Sequence, residues 1–194
     1  MSQLTSDELF HLGLHSLESD DVEKSLDLFK RCVESDPNHA KATYMIGALY
    51  AQIQMVDSAA EWMQRAIDMD AGEKTAVFQL GLLYLTSGEV EKARSTWEGL
   101  SGLPEDHAFR LFSQGMLALV EDDFEGCIKH LEMGIARNDF NAPLNNDMSR
   151  VIESAAAALE SQAAGANLEP AEAPATRAGT HIALSGYRQS LKKH

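Results

Sequence analysis

The sequence predicts an all-α fold, an α-solenoid of four 34-residue helix–turn–helix repeats closed by a C-terminal capping helix. Three observations carry this. Gly13, Gly47, Gly81 and Gly115 stand 34 residues apart each time. Other columns keep the same step: small Ser25, Ala59, Ala93 and Cys127 lie twelve residues after each glycine, and bulky Phe29, Met63, Trp97 and Leu131 sixteen after. Within each unit apolar residues recur at three and four, break at a turn and resume, which is the period of a one-sided helix. A fixed period of this length marks a stacked array in which neighbouring units bury one continuous core. No sheet is expected.

The elements follow in chain order. The first repeat turns at Ser19-Asp20-Asp21 and the fourth at Glu121-Asp122-Asp123, where aspartate offers an N-cap oxygen to the second helix. The third reads as a helix over 73–86, a turn at Ser87-Gly88 and a helix over 89–100. Gly81 sits inside that first helix, where glycine costs roughly 1 kcal/mol relative to alanine. The small column gives it a purpose. Antiparallel helices approach closely only where bulk is missing, and the bulky column is expected to fill the space between successive pairs.

After the repeats, assigned to residues 5–140, a capping helix is predicted over 141–163 with Pro143 at its first helical position. Leu144, Met148, Val151, Ile152, Ala155 and Leu159 form its apolar stripe, while Asn145, Asp147, Arg150, Glu153 and Glu160 face elsewhere. A solenoid needs such a terminal element with a polar outer side. Residues 164–180, AGANLEPAEAPATRAGT, have the composition of a flexible linker. The last segment, 181–194, HIALSGYRQSLKKH, is apolar and basic on an otherwise acidic chain. Residues 1–168 carry 12 basic and 28 acidic side chains, whereas Arg177, Arg188, Lys192 and Lys193 follow Glu172 with no further acid.

The pattern resembles the tetratricopeptide repeat family. The residues that carry the likeness are Gly47 with Tyr50, Gly81 with Tyr84, then Ala59 and Ala93, Phe29, and the terminal Asp36-Pro37. Departures are Ser16 and Ala118 at the tyrosine position, Ser25 and Cys127 at the alanine position, and a closing proline kept only at Pro37 and, displaced by one, Pro104. The resemblance implies a right-handed superhelix whose first helices line a concave groove.

Composition excludes more than it assigns. A net charge of −14 argues against nucleic acid and anionic membranes as partners. No signal peptide is read at the N-terminus, and no window reaches the roughly 18–20 apolar residues of a membrane span. Cys32 and Cys127 sit inside amphipathic patterns and read as buried thiols of a cytoplasmic protein. His11 and His15 are spaced i, i+4 but lack a third ligand, and the acids at 18–21 and 121–123 lack the spacing of a calcium loop. No phosphate loop, dinucleotide fingerprint or nucleophile elbow is present, so no catalytic residue, metal or cofactor is assigned.

Function then lies in a surface. The resemblance places three columns in the groove: Phe10, Tyr44, Phe78 and Phe112; Leu14, Ala48, Leu82 and Met116; and a third ending in Leu119, with Met45 beside them. Relatives that dock acidic chaperone tails carry a Lys/Asn/Arg clamp there. Here Phe10 and Leu14 stand where its first Lys and Asn would be, and Met45 and Gln79 replace others. An apolar trough is more similar in architecture to the cytosolic chaperones of bacterial secretion systems. The expectation is a non-enzymatic adaptor or chaperone whose groove takes an apolar segment of a protein partner, of a kind that can be helical and basic. Removing the Phe78 and Phe112 rings should then weaken binding and leave the fold intact. The alternative is a structural or regulatory subunit whose groove serves self-association in a homodimer, or holds its own tail through Ile182, Leu184, Tyr187, Arg188 and Leu191.

Overall fold

The computed structural model describes residues 4–70 and 74–163. Among them are nine α-helices and no strand: α1 (Ser6–Glu18), α2 (Val22–Ser35), α3 (Ala40–Gln52), α4 (Val56–Met69), α5 (Lys74–Thr86), α6 (Val90–Trp97), α7 (Ala108–Val120), α8 (Phe124–Arg137) and α9 (Ala142–Ala163). They wind into a right-handed α-solenoid. Each repeat is an antiparallel pair, α1 on α2 through α7 on α8; α2 meets α3, α4 meets α5, and α9 packs on α8.

The four turns inside the repeats are one structure repeated. Asp20, Gln54, Gly88 and Asp122 occupy the same column, and all have positive φ: 57°, 62°, 84° and 58°. That left-handed residue ends each first helix and lets two amides turn back to its free carbonyls. Asp21 N–H donates to Ser16 O (3.1 Å), Met55 to Tyr50 (2.9 Å), Glu89 to Tyr84 (2.8 Å) and Asp123 to Ala118 (2.9 Å). The next helix starts at once. Asp21 and Asp123 accept from the N–H of Lys24 and Gly126, as the acidic turns predict. Met55 and Glu89 make no such side-chain bond.

The glycine column works inside each pair. A methyl group built on Gly13 would lie 2.6 Å from Phe29 Cε1, on Gly47 2.8 Å from Met63 Cγ, on Gly115 2.6 Å from Leu131 Cδ2, and on Gly81 it would overlap Trp97 Nε1. The bulky column therefore sits directly over the glycine of its own repeat, closing the gap inside the pair, where the sequence reading placed it between successive pairs. The small column completes the contact: the hypothetical methyls are 3.1 Å from Ala59 O and 3.2 Å from Cys127 O, and Ser25 Oγ donates to Gly13 O at 3.1 Å.

Two element ends depart from expectation. The second helix of repeat three stops at Trp97 and tightens into a single 3₁₀ turn, Glu98–Leu100, before an irregular link whose carbonyls at Ser101 and Leu103 are held by Arg110 Nη1. Helix α9 starts at Ala142, within the predicted range, which puts Pro143 at its second position and not its first. Asn141 caps it by accepting from Leu144 N–H at 3.1 Å, and Pro143 still falls in the first turn, where a missing N–H costs nothing. The predicted stripe of α9 is buried or half-buried along its length.

Candidate partner-binding site

Outer and inner helices divide the chemistry. In α2, α4, α6 and α8 buried residues recur on one side, such as Ala59, Met63 and Ala66 in α4, half-buried residues such as Trp62 and Ile67 flank them, and the opposite side is mostly polar and exposed. The first inner helix, α1, still keeps an exposed side with Glu8, His11 and His15, but the central inner helices α3 and α5 do not. In α3 every residue from 42 to 49 is buried, and in α5 every residue from 76 to 82. Eight consecutive helical residues cover rather more than two turns, so α3 is closed at every azimuth.

This corrects the expectation of an open trough. Phe10, Tyr44, Phe78 and Phe112 are 8%, 1%, 0% and 0% exposed, and Leu14, Met45, Ala48, Leu82 and Met116 are buried with them; Leu119 alone of the set is half-buried. Ring packing explains part of this. Phe78 stacks on Phe109 (centroids 5.0 Å) and on Trp97 (6.0 Å) and tilts against Phe112 at 6.1 Å. Phe112 in turn fills the space over Gly134, where an added methyl would come within 2.5 Å of the ring. Phe10 sits between Phe29 (5.6 Å) and the His39 ring (4.8 Å). These aromatics belong to the core, so removing them is expected to destabilise the fold, contrary to the expectation from sequence. Met45 and Gln79, the residues at clamp positions, are likewise buried.

Side-chain hydrogen bonds hold the ends of the inner helices and the start of α9. His39 and His107 share a column with Thr5, and each caps the inner helix that follows: Ala42 N–H donates to His39 Nδ1 at 3.0 Å and Phe109 N–H to His107 Nδ1 at 3.2 Å. At the C-terminal end three asparagines lock α9 in place. Asn138 Nδ2 donates to Asn141 O (3.0 Å) and Asn145 Oδ1 (2.7 Å), and Asn145 Nδ2 returns a bond to Asn138 O (2.9 Å). Asp147, expected to face solvent, is buried and pairs with Arg150 at 3.5 Å. Sequence reasoning missed these; an Asn repeated at spacings of three and four across a helix start was the available signal.

Reactive chemistry is sparse. Cys32 and Cys127 are free and buried, and burial, with lesser help from nearby aspartates, pushes both thiols up to about 11. His11 and His15 are exposed, the latter 3.4 Å from Glu18. Among the described residues no group of three or more His, Cys, Asp or Glu is gathered to hold a metal, and no helix is long and apolar enough to cross a membrane. The linker at 164–180 and the tail residues Ile182, Leu184, Tyr187, Arg188 and Leu191 lie outside the described residues.

Comparison with known proteins fits this architecture. The tetratricopeptide repeat family model matches residues 10–74, which span most of the first two repeats. No curated protein sequence matches the chain significantly. Among solved structures, a crystal structure of MamA aligns with a TM-score of 0.58 at 22% identity over 68% of this chain and 77% of that one. MamA from residue 41 to its end, from Desulfovibrio magneticus RS-1, gives 0.58 at 11% identity over 84% and 97%. A further MamA crystal structure gives 0.57 at 18% identity over 87% and 98%. At these identities the likeness is one of fold.

Proposed function

We propose, from the premise that this chain is a tetratricopeptide-repeat protein, that it is a non-enzymatic adaptor or chaperone that holds an apolar segment of a protein partner along its inner helices. The observation that carries this reading is the contrast between helices. The outer helices are amphipathic, whereas α3 and α5 offer water no polar side. A helix apolar on every face belongs beneath a cover, and in an array the inner face is the one that stacking of repeats leaves to another chain. Half-buried Leu85 and Leu119 continue that face at its edge.

Charge selects among segments. With 28 acidic side chains against 12 basic ones over residues 1–168, the array favours an apolar segment that also carries lysine or arginine. A cytoplasmic setting suits an acidic chain with two unpaired thiols.

Fluorescence anisotropy with a panel of synthetic helical peptides tests the reading. Leu/Lys amphipathic peptides should bind saturably, Leu/Glu peptides of the same length should not, and Leu119→Glu should weaken the first class at least tenfold. Equal binding of both classes, or no effect of Leu119→Glu, contradicts it.

A further inference from the structure

We infer that the C-terminal end of the array carries a docking point for an arginine side chain of a protein partner, built on the ring of Phe140 and the carboxylates of Glu105 and Asp139. It stands independently of the inner-face reading. The feature begins in the core. Trp97, Phe78 and Phe109 form one continuous stack, with centroids 6.0 and 5.0 Å apart and planes 18° and 11° from parallel. Phe140 closes the stack with a T-shaped contact on Phe109 at 5.4 Å. The His107 ring leans on both, 5.5 Å from Phe109 and 6.4 Å from Phe140. Phe109 is 4% exposed, but Phe140 is 45% exposed. A T-shaped contact uses at most one face of a ring, so much of Phe140 meets water above a base of packed rings.

The treatment of other rings shows what this one lacks. Half-buried Tyr50, Trp62 and Tyr84 are each covered by a cation of their own chain: Lys30 at 5.4 Å, Arg65 at 5.2 Å and Lys92 at 5.3 Å. Phe140 is more exposed than any of them and has no such cover among the described residues. Arg137, three residues before it, is turned to Asp106 at 3.3 Å. That pair ties the link before α7 to the end of α8, which brings Glu105 to the same place as Asp139 and Phe140. Glu105 and Asp139 are both exposed and form no ion pair among the described residues.

An open aromatic face beside two carboxylates fits a guanidinium. This planar cation stacks flat on a ring and donates hydrogen bonds in its own plane to acids at its rim. A lysine ammonium satisfies the charge but does not stack. A neutral apolar side chain would cover the ring and leave both carboxylates desolvated without a partner. The site is also held ready. Arg110 Nη1 fixes the link through Leu103 O at 3.0 Å, and Asn138 Nδ2 fixes the start of α9 through Asn141 O at 3.0 Å. Little ordering is therefore left for binding. At an exposed site, stacking and ion pairing together add roughly five- to tenfold in affinity.

The test uses the full chain and a Leu/Arg amphipathic peptide, with the same peptide carrying citrulline at each arginine as the neutral control. The expected result is saturable binding that shifts the backbone amide signals of residues 105–107 and 139–140, which the citrulline peptide leaves in place. Phe140→Leu keeps apolar bulk, removes the aromatic face and should weaken the Leu/Arg peptide roughly fivefold. Glu105→Gln with Asp139→Asn alters exposed side chains only and should weaken it by a similar factor. That variant decides the matter if Phe140→Leu loosens the packing on Phe109. No binding, unshifted amides at saturating Leu/Arg peptide, equal shifts with citrulline, or full affinity in the carboxylate variant overturns the inference. So do shifts at these residues on raising the protein concentration alone, which assign the ring to a second copy. Shifts confined to α3, α5 and α7 overturn it and leave the inner-face reading standing. Shifts confined to 105–107 and 139–140 do the reverse.

Discussion

The indole N–H of Trp97 donates to the carbonyl oxygen of Phe78 at 3.0 Å, and the ring lies directly over Gly81. One side chain thereby fills the gap left by the glycine and ties the two helices of repeat three together. Gly81→Ala should gain the intrinsic helix preference of alanine, about 1 kcal/mol, and lose more than that. The new methyl would overlap the indole, which is pinned by its hydrogen bond, so overpacking of about 1–3 kcal/mol is expected on top of the lost bond. Urea denaturation should show a net loss of stability that Trp97→Leu in the same chain partly relieves. A neutral or stabilising Gly81→Ala would contradict the close-approach explanation.

Phe78 and Phe112 are both fully buried and touch each other. Phe→Ala at such sites typically costs about 3–5 kcal/mol. The double substitution should therefore unfold the chain at ordinary temperature, seen as loss of helical circular dichroism. A well-folded double variant would mean that the rings are surface after all.

Asn138 and Asn145 exchange hydrogen bonds across the start of α9. Asn138→Ala removes both bonds made by Asn138 Nδ2 and leaves half-buried Asn145 Oδ1 without that donor, while Asn141 O keeps the Asn145 N–H, a loss of about 1–3 kcal/mol. Hydrogen exchange should localise the damage to α8 and α9 and leave α1 to α4 protected. Uniform loss of protection would place the asparagines in the general core and not in a terminal lock.

Both thiols are held at about 11 by burial, above their ordinary value. The unfolded chain ionises them first. Their contribution to stability is thus full below about pH 8.5, the ordinary thiol value, and is lost as pH rises toward 11. The urea midpoint of wild type should fall more steeply between pH 8 and 10 than that of Cys127→Ala. Iodoacetamide at pH 8 should label native protein far more slowly than denatured protein. Equal midpoint slopes in both proteins, or equal labelling rates, would count against burial as the cause.

The array was legible because repetition multiplies a weak signal. One glycine in an apolar run is ambiguous, but Gly13, Gly47, Gly81 and Gly115 in step with four bulky partners are not. Asp20, Gly88 and Asp122 likewise announce a left-handed turn residue, and only comparison with them identifies Gln54 as its equal. What the pattern could not give is depth. Periodicity assigns Phe10, Tyr44, Phe78 and Phe112 to one side of their helices, but whether that side meets water depends on rings from the next repeat, as Phe78 on Phe109 shows. The asparagine lock was hidden for a related reason: its bonds join residues seven apart across a helix break, which no single helical period relates.

Backbone chemical-shift mapping is the most direct measurement of where a partner segment binds. The full chain is titrated with a Leu/Lys amphipathic peptide and followed residue by residue. The expected result is perturbation concentrated on α3, α5 and α7, including Tyr44, Ala48, Leu82 and Met116, with the exposed faces of α2, α4, α6 and α8 unmoved. Perturbation confined to the outer helices, or none at saturating peptide, would contradict binding along the inner face.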